Sequence, residues 1–130
     1  MPGAVVQSTL EAMQPLAVHH VSINVSDVDA ALAFYVGRLG LAQRPDRPDF
    51  AFGGAWLDCG HQQVHLIEGT TPAPVGQHFA VLVDDLDGTV GELRSNGLDV
   101  SDPSPVGTGR QSFVNDPDGN TVELHQANVV

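Results

Sequence analysis

Apolar and polar positions alternate where the patterned part of the chain begins. Val21, Ile23 and Val25 share one parity, and His20, Ser22 and Asn24 share the other. This period of two marks a strand with one buried face, and residues 16–25 are predicted as that strand. Val28, Ala31, Leu32, Tyr35, Val36 and Leu39 then recur at helical spacing, with Ser26 or Asp27 available as N-cap. Strands are predicted near 41–44, at 54–59 and at 62–68, with Gly60-His61 as the hairpin turn between the last two. Thr, Pro and Gly punctuate 69–76, which reads as a linker. A second round follows. It has a strand at 77–83, a helix from about Asp85 to Asn96 closed by Gly97, and strands near Val100, at 111–114 and at 120–126. Asp116-Pro-Asp-Gly119 is a turn sequence before the last of these.

The two rounds are copies of one unit. A fixed offset carries His20 onto His78, Val25 onto Val83, Asp27 onto Asp85 and Asp29 onto Asp87. The same offset carries His65 onto Glu123. The pattern predicts one domain at 16–128 behind an N-terminal arm at 1–15. Module one is 16–69, the linker 70–76 and module two 77–126. Met1 to Leu16 has no basic start followed by an apolar stretch, so it is not read as a signal peptide but as a flexible arm or a short added strand.

The repeat also selects candidate chemistry. Two equivalent positions hold His20, His78, His65 and Glu123, and strand alternation puts all four opposite the apolar residues. They are expected to line the open face of a curled sheet as one divalent-metal site. Three imidazoles and a carboxylate suit Zn, Ni, Co, Fe or Mn, and an octahedral ion would keep two positions for a chelating substrate. Glu123 and His125 share a face and are the candidates for proton transfer. Asn24, on the face of His20, together with Trp56 and Arg110, are the candidate substrate contacts. His19 has the wrong parity for a ligand, and His61 reads as a solvated turn residue. Gly53-Gly54 and Gly107-Thr-Gly109 lack the context of a phosphate loop and read as loops.

Composition narrows the partners. The 130 residues carry a formal net charge of −11, and every one of the five basic side chains is arginine. Nucleic acid and anionic membranes are therefore poor partners. No apolar run approaches the ~18 residues of a membrane span. Cys59 is the single cysteine, so an intrachain disulfide is impossible; it reads as an inert strand thiol, and a reducing cytoplasm is expected.

The segments His20-Val-Ser-Ile-Asn-Val-Ser-Asp27, Phe34-Tyr35 through Leu39-Gly40-Leu41, His78-Phe-Ala-Val-Leu-Val-Asp-Asp-Leu86 and Asn115-Asp-Pro-Asp-Gly-Asn-Thr-Val-Glu123 together resemble the vicinal oxygen chelate superfamily. This group includes glyoxalase I, methylmalonyl-CoA epimerase, extradiol dioxygenases and the fosfomycin- and bleomycin-resistance proteins. The resemblance spans residues 17–126. It implies an α+β fold, in which two βαβββ modules form a curled mixed β-sheet cup with helices packed outside. It also implies one metal per site held from the first and last strand of each module, a small-molecule substrate bound through adjacent oxygens, and a homodimer. The activity implied is a lyase or isomerase, with a non-heme Fe(II) extradiol-type dioxygenase or a non-catalytic antibiotic- or metabolite-binding protein as alternatives. Glyoxalase I-like members carry a carboxylate where this chain has His65, and epimerase-like members a glutamine. Bleomycin-binding relatives lack the ligand set.

Overall fold

The computed structural model describes residues 13–128, so most of the N-terminal arm lies outside the described residues. The first module comprises β1 (His20–Val25), α1 (Val28–Tyr35), β2 (Ala42–Gln43), β3 (Gly54–Cys59) and β4 (Gln62–Glu68). The second comprises β5 (His78–Leu82), α2 (Leu86–Ser95), β6 (Ser104–Val106), β7 (Gly109–Asn115) and β8 (Thr121–Gln126). Each module forms a mixed four-stranded sheet, in the orders β1-β4-β3-β2 and β5-β8-β7-β6. In each, the first strand runs parallel to the last and antiparallel hairpins supply the rest. This is the expected α+β architecture of two βαβββ modules.

The repeat extends to local chemistry. Asp27 and Asp85 cap α1 and α2, accepting from Ala30 N at 3.1 Å and Gly88 N at 3.0 Å. A carboxylate there satisfies an orphan amide and complements the positive end of the helix dipole. Gly40 and Gly97 both adopt positive φ, at 80° and 86°, where each helical segment turns back toward the sheet.

Each helix buries one stripe on its sheet: Ala31, Phe34 and Tyr35 from α1, and Leu86, Val90 and Leu93 from α2. They meet Leu57, Val64 and Leu66 on one sheet and Val114, Val122 and Leu124 on the other, all in one core cluster. Phe34 belongs to that stripe, although the periodicity drew the face through Leu32. The helix ends earlier than the apolar pattern, because Leu39 N and Arg38 N both bond to Phe34 O at 2.9 Å, which widens the last turn.

Two further elements differ from the sequence reading. The strand expected near Val100 is a single bridge to Val114, and the edge strand is Ser104–Val106. Pro105 sits there without cost, because an edge strand tolerates a missing donor. Gly54 opens β3 as the predicted strand 54–59 has it, whereas Gly109 opens β7 rather than lying in a loop. A Cβ on either would strike a backbone carbonyl, of Leu66 and of Gln126 respectively, so the close approach of the neighbouring strand requires glycine at both.

The modules are stitched together beside β1. Tyr35 donates its hydroxyl to Asp116 at 2.8 Å, Ser26 N donates to Asp118 at 2.9 Å, and Asn120 Nδ2 donates to the carbonyl of Asn24 at 3.0 Å. All three bonds connect the β1–α1 region to the turn between β7 and β8. One polar group is less well served. The hydroxyl of Ser112, fully buried in β7, has no partner among the described residues. Ser112→Ala is therefore expected to raise stability by about 1 kcal/mol, read as a higher urea midpoint at unchanged slope. None of the described helices is long and apolar enough to cross a membrane.

Candidate functional site

The register settles which side chains share a face. In the first sheet His65 lies across from Ser22 on β1 and from Trp56 on β3. His20, two residues before Ser22, joins them. In the second sheet Glu123 lies across from Ala80 on β5 and Phe113 on β7, with His78 and His125 at neighbouring positions of the same face. Val64, Leu66, Val122 and Leu124 alternate with these residues and turn to the core. The four candidate ligands thus lie opposite the buried apolar face, as strand parity requires.

In the second sheet three of these groups form a connected cluster. His78 Nε2 is 3.1 Å from Glu123 Oε1, and His125 Nδ1 is 2.8 Å from Glu123 Oε2. Glu123 is only 9% exposed, so its carboxylate sits half-enclosed between two imidazoles. His78 Nδ1 faces the Gly76 carbonyl at 2.9 Å, which fixes that nitrogen as donor and directs Nε2 to the carboxylate. The Gly76 carbonyl first, and Glu123 after it, make His78 easier to protonate than a free imidazole. An imidazole nitrogen and a carboxylate oxygen are donor types that divalent ions accept. Ligand atoms about 2.1 Å from a metal and at right angles to each other are about 3.0 Å apart, close to the Nε2–Oε1 separation. The carbonyl behind Nδ1 is the kind of outer partner that orients a ligating histidine.

In the first sheet the rings are stacked. His20 and His65 lie 4.0 Å apart at 13°, and Trp56 lies on the other side of His65 at 4.4 Å and 10°. Imidazole lone pairs lie in the ring planes, and two nearly parallel planes stacked in this way do not bring theirs to one point. His65 Nε2 donates to Gln63 Oε1 at 2.8 Å, which leaves Nδ1 as its free lone pair. His65 is 8% exposed. Burial, reinforced by His20 beside it, lowers its proton affinity and keeps it neutral, as a ligand must be. Among the described residues no three His, Cys, Asp or Glu side chains gather closely enough to hold one ion. The four candidates therefore form two pairs, His20 with His65 and His78 with Glu123.

The remaining candidates divide. Trp56 lies on the ligand face, against His65. Asn24 donates to the Thr70 carbonyl at 3.0 Å and lines a cleft of about 300 Å³ between β1 and β5, which His78 also lines. Arg110 is placed elsewhere. Its register partner is Gln126, whose side chain accepts from Leu86 N on α2. Arg110 thus points to the helix-covered side, where Asp87 accepts two bonds from it at 2.9 and 3.1 Å. Its neighbour Gln111, not Arg110, has the parity of Glu123. His19 reaches the site edge, with its Nδ1 2.9 Å from that of His20. His61 occupies the exposed β3–β4 turn.

Several residues next to the candidate ligands carried no signal of their own in the sequence. Phe113 meets His78 edge-on at 5.6 Å, a contact that follows from register once Asp116–Gly119 is accepted as a tight turn. Gln63 shares the parity of His65. Arg47, Phe50 and Phe52 come from an irregular loop, where no periodicity could have placed them.

The family model of the Glyoxalase/Bleomycin resistance protein/Dioxygenase superfamily matches residues 17–124. Among solved structures, a provisional glyoxalase family protein from Bacillus anthracis is 26% identical over 89% of this chain and 98% of its own, with a TM-score of 0.80. TnmS3, an antibiotic binding protein from Streptomyces sp. CB03234, is 30% identical over 89% and 99%, with a TM-score of 0.73. A lactoylglutathione lyase from Agrobacterium tumefaciens is 22% identical over 89% and 97%, with a TM-score of 0.71, a likeness of fold. Comparison with curated proteins gave no match.

Proposed function

The chain belongs to the Glyoxalase/Bleomycin resistance protein/Dioxygenase superfamily, and from that membership we propose that it is a divalent-metal-dependent lyase or isomerase. Its substrate is a small molecule that chelates through vicinal oxygens. The observation that carries this reading is Glu123. A nearly buried carboxylate on the face away from the core, bracketed by His78 at 3.1 Å and His125 at 2.8 Å, has no packing role there. Burying a charge is costly unless it is paired or coordinates a metal.

His20, His65, His78 and Glu123 would hold the ion, which is Zn, Ni, Co, Fe or Mn by ligand type. When bound, it supplies Lewis acidity toward two adjacent substrate oxygens. The protein's own part is positional and acid–base. The Gly76 carbonyl fixes the His78 tautomer and Gln63 fixes that of His65. Oε2 of Glu123 and the imidazole of His125 form a hydrogen-bonded pair through which a proton taken from carbon next to a carbonyl can be held and returned. Asn24 and Trp56 flank the ligands and would orient the substrate. We place the two candidate pairs in one centre through a homodimer, in which one copy supplies His20 and His65, the exposed His20 ring turning out of its stack on His65 to reach the ion, and its partner supplies His78 and Glu123. The working compartment in this reading is the cytoplasm.

The test is elemental analysis of untagged protein prepared anaerobically, with proton exchange into α-hydroxycarbonyl compounds followed by NMR in D₂O. About one metal per chain, lost together with exchange in His20→Ala, is the expected result. Protein that stays metal-free after reconstitution with each of the five ions would overturn the reading.

A second reading has its own support. The stacked wall of Trp56, His65 and His20 and the 30% identity to an antibiotic binding protein favour ligand capture without turnover. A metal-free protein that binds a planar ligand would belong to it.

A further inference from the structure

An irregular loop, residues 45–53, brings three side chains over the open face of the first sheet. Phe50 and Phe52 stack on each other at 5.1 Å and 6°. Phe50 lies 6.2 Å from Trp56, which in turn covers His65. Together with Ser22 and Ile67 these rings line a recess of about 150 Å³. An apolar cavity of roughly that size accepts one benzene ring. The rings are not spent on the core: Phe50 is 40% exposed and Phe52 47%. Two large aromatics left exposed beside a tryptophan, on the face of a candidate ligand, form a prepared surface for stacking.

The rim has a charge. Arg47 lies 4.9 Å from the Phe50 ring centre and 5.5 Å from that of Phe52, and donates to the Phe52 carbonyl at 2.8 Å. Of the five arginines, Arg44, Arg94 and Arg110 are each paired with a carboxylate, and Arg38 bonds the neutral Asn96 side chain. Arg47 has no ion pair among the described residues. In a chain of net charge −11, an arginine left without a carboxylate at the mouth of an aromatic recess has a positive field to offer a ligand. Its planar fork matches a carboxylate bidentately.

We propose that this recess is the specificity subsite and that it takes a planar aromatic ring bearing an anionic group, typified by an aromatic carboxylate. The ring stacks among Phe50, Phe52 and Trp56, and the anion meets Arg47. This assignment rests on the reading that the His20–His65 face is the functional one, and it adds the substrate class to that reading.

Trp56 is the only tryptophan, so its fluorescence reports the recess directly. The experiment titrates chelator-treated, metal-free protein with benzoate, benzyl alcohol and cyclohexanecarboxylate, exciting the indole selectively. Benzoate is expected to quench saturably, and cyclohexanecarboxylate, with the same charge but no planar ring, to bind about tenfold more weakly. Arg47→Gln is expected to cost benzoate about tenfold and leave benzyl alcohol unchanged. Phe52→Leu is expected to weaken both aromatic probes. Equal affinity for benzoate and cyclohexanecarboxylate would overturn the proposal, as would indifference of benzoate to Arg47→Gln. So would a dimer that dissociates in Phe50→Ser or Phe52→Ser while benzoate affinity is unchanged, because the rings would then belong to a contact between copies. Metal content is measured separately on the same preparation after reloading. Failure of the recess with metal retained, and failure of the metal with benzoate binding retained, are thus distinct results.

Discussion

Asp116→Ala is expected to destabilise the fold by about 3–4 kcal/mol and to lower the melting temperature by roughly 10–15 °C. The side chain is 5% exposed, and its carboxylate accepts four hydrogen bonds. Oδ1 takes Asn120 N at 2.8 Å and Asp118 N at 2.9 Å, and Oδ2 takes the Tyr35 hydroxyl at 2.8 Å and Asn120 Nδ2 at 2.9 Å. Alanine leaves a buried phenol and the turn amides without partners, and each such loss costs more than the bond itself contributes. It also cuts the link between α1 and the second module. Tyr35→Phe removes the donor as well as its bond, so it is expected to cost only about 1–2 kcal/mol. In that background Asp116→Ala should cost about 1 kcal/mol less than alone. Additive losses in urea unfolding would disprove the coupling.

The same pair has a spectroscopic signature. Burial, then the charge of Asp116, pushes the phenol's ionisation far above its ordinary range, and Tyr35 is the only tyrosine. No tyrosinate absorbance is expected at pH ~10, where a free phenol is half ionised. The phenol's proton is held more tightly in the folded state. Its contribution to stability is therefore complete below the unfolded value and declines as the solution becomes more alkaline.

Much of this organisation can be read from the chain because it is written twice. The offset that carries His20 onto His78 and Asp27 onto Asp85 located both first strands and both helix caps, and it selects the candidate ligand positions. Strand parity then assigned faces with no further information, since a side chain one residue out of step belongs to the other side of the sheet. Parity fails where a strand's pairing is unknown. Arg110 shows this, for only its register with Gln126 reveals that it faces α2. Edge strand β6 was hidden by its proline and its three-residue length. The Phe50–Phe52–Trp56 wall depends on a loop whose path is set by the Arg47 bond to Phe52, a contact without periodicity. Most of all, the sequence marks four candidate ligand positions but not which of them meet. That is a tertiary property, and in the chain they meet as two pairs.

If the proposed centre holds, Glu123→Gln is expected to weaken metal binding by about 100-fold or more, because it would remove the only anionic member of the proposed ligand set and exchange half of its oxygen donors for an amide. A pair of variants tests how the ligands assemble. One lacks the first-module pair, as His20→Ala with His65→Ala, and the other lacks the second-module pair, as His78→Ala with Glu123→Gln. Each alone is expected to bind almost no metal. If the centre is shared between two copies, mixing them under conditions that exchange subunits restores about a quarter of the wild-type metal per chain. Random reassortment makes half of the dimers mixed, and each mixed dimer holds one whole set of ligands and one empty one. A centre built within a single chain gives no recovery, since neither variant has all four residues. Because no three of these side chains gather within one chain among the described residues, we expect recovery. Full metal content in either variant alone would instead remove its two residues from the ligand set.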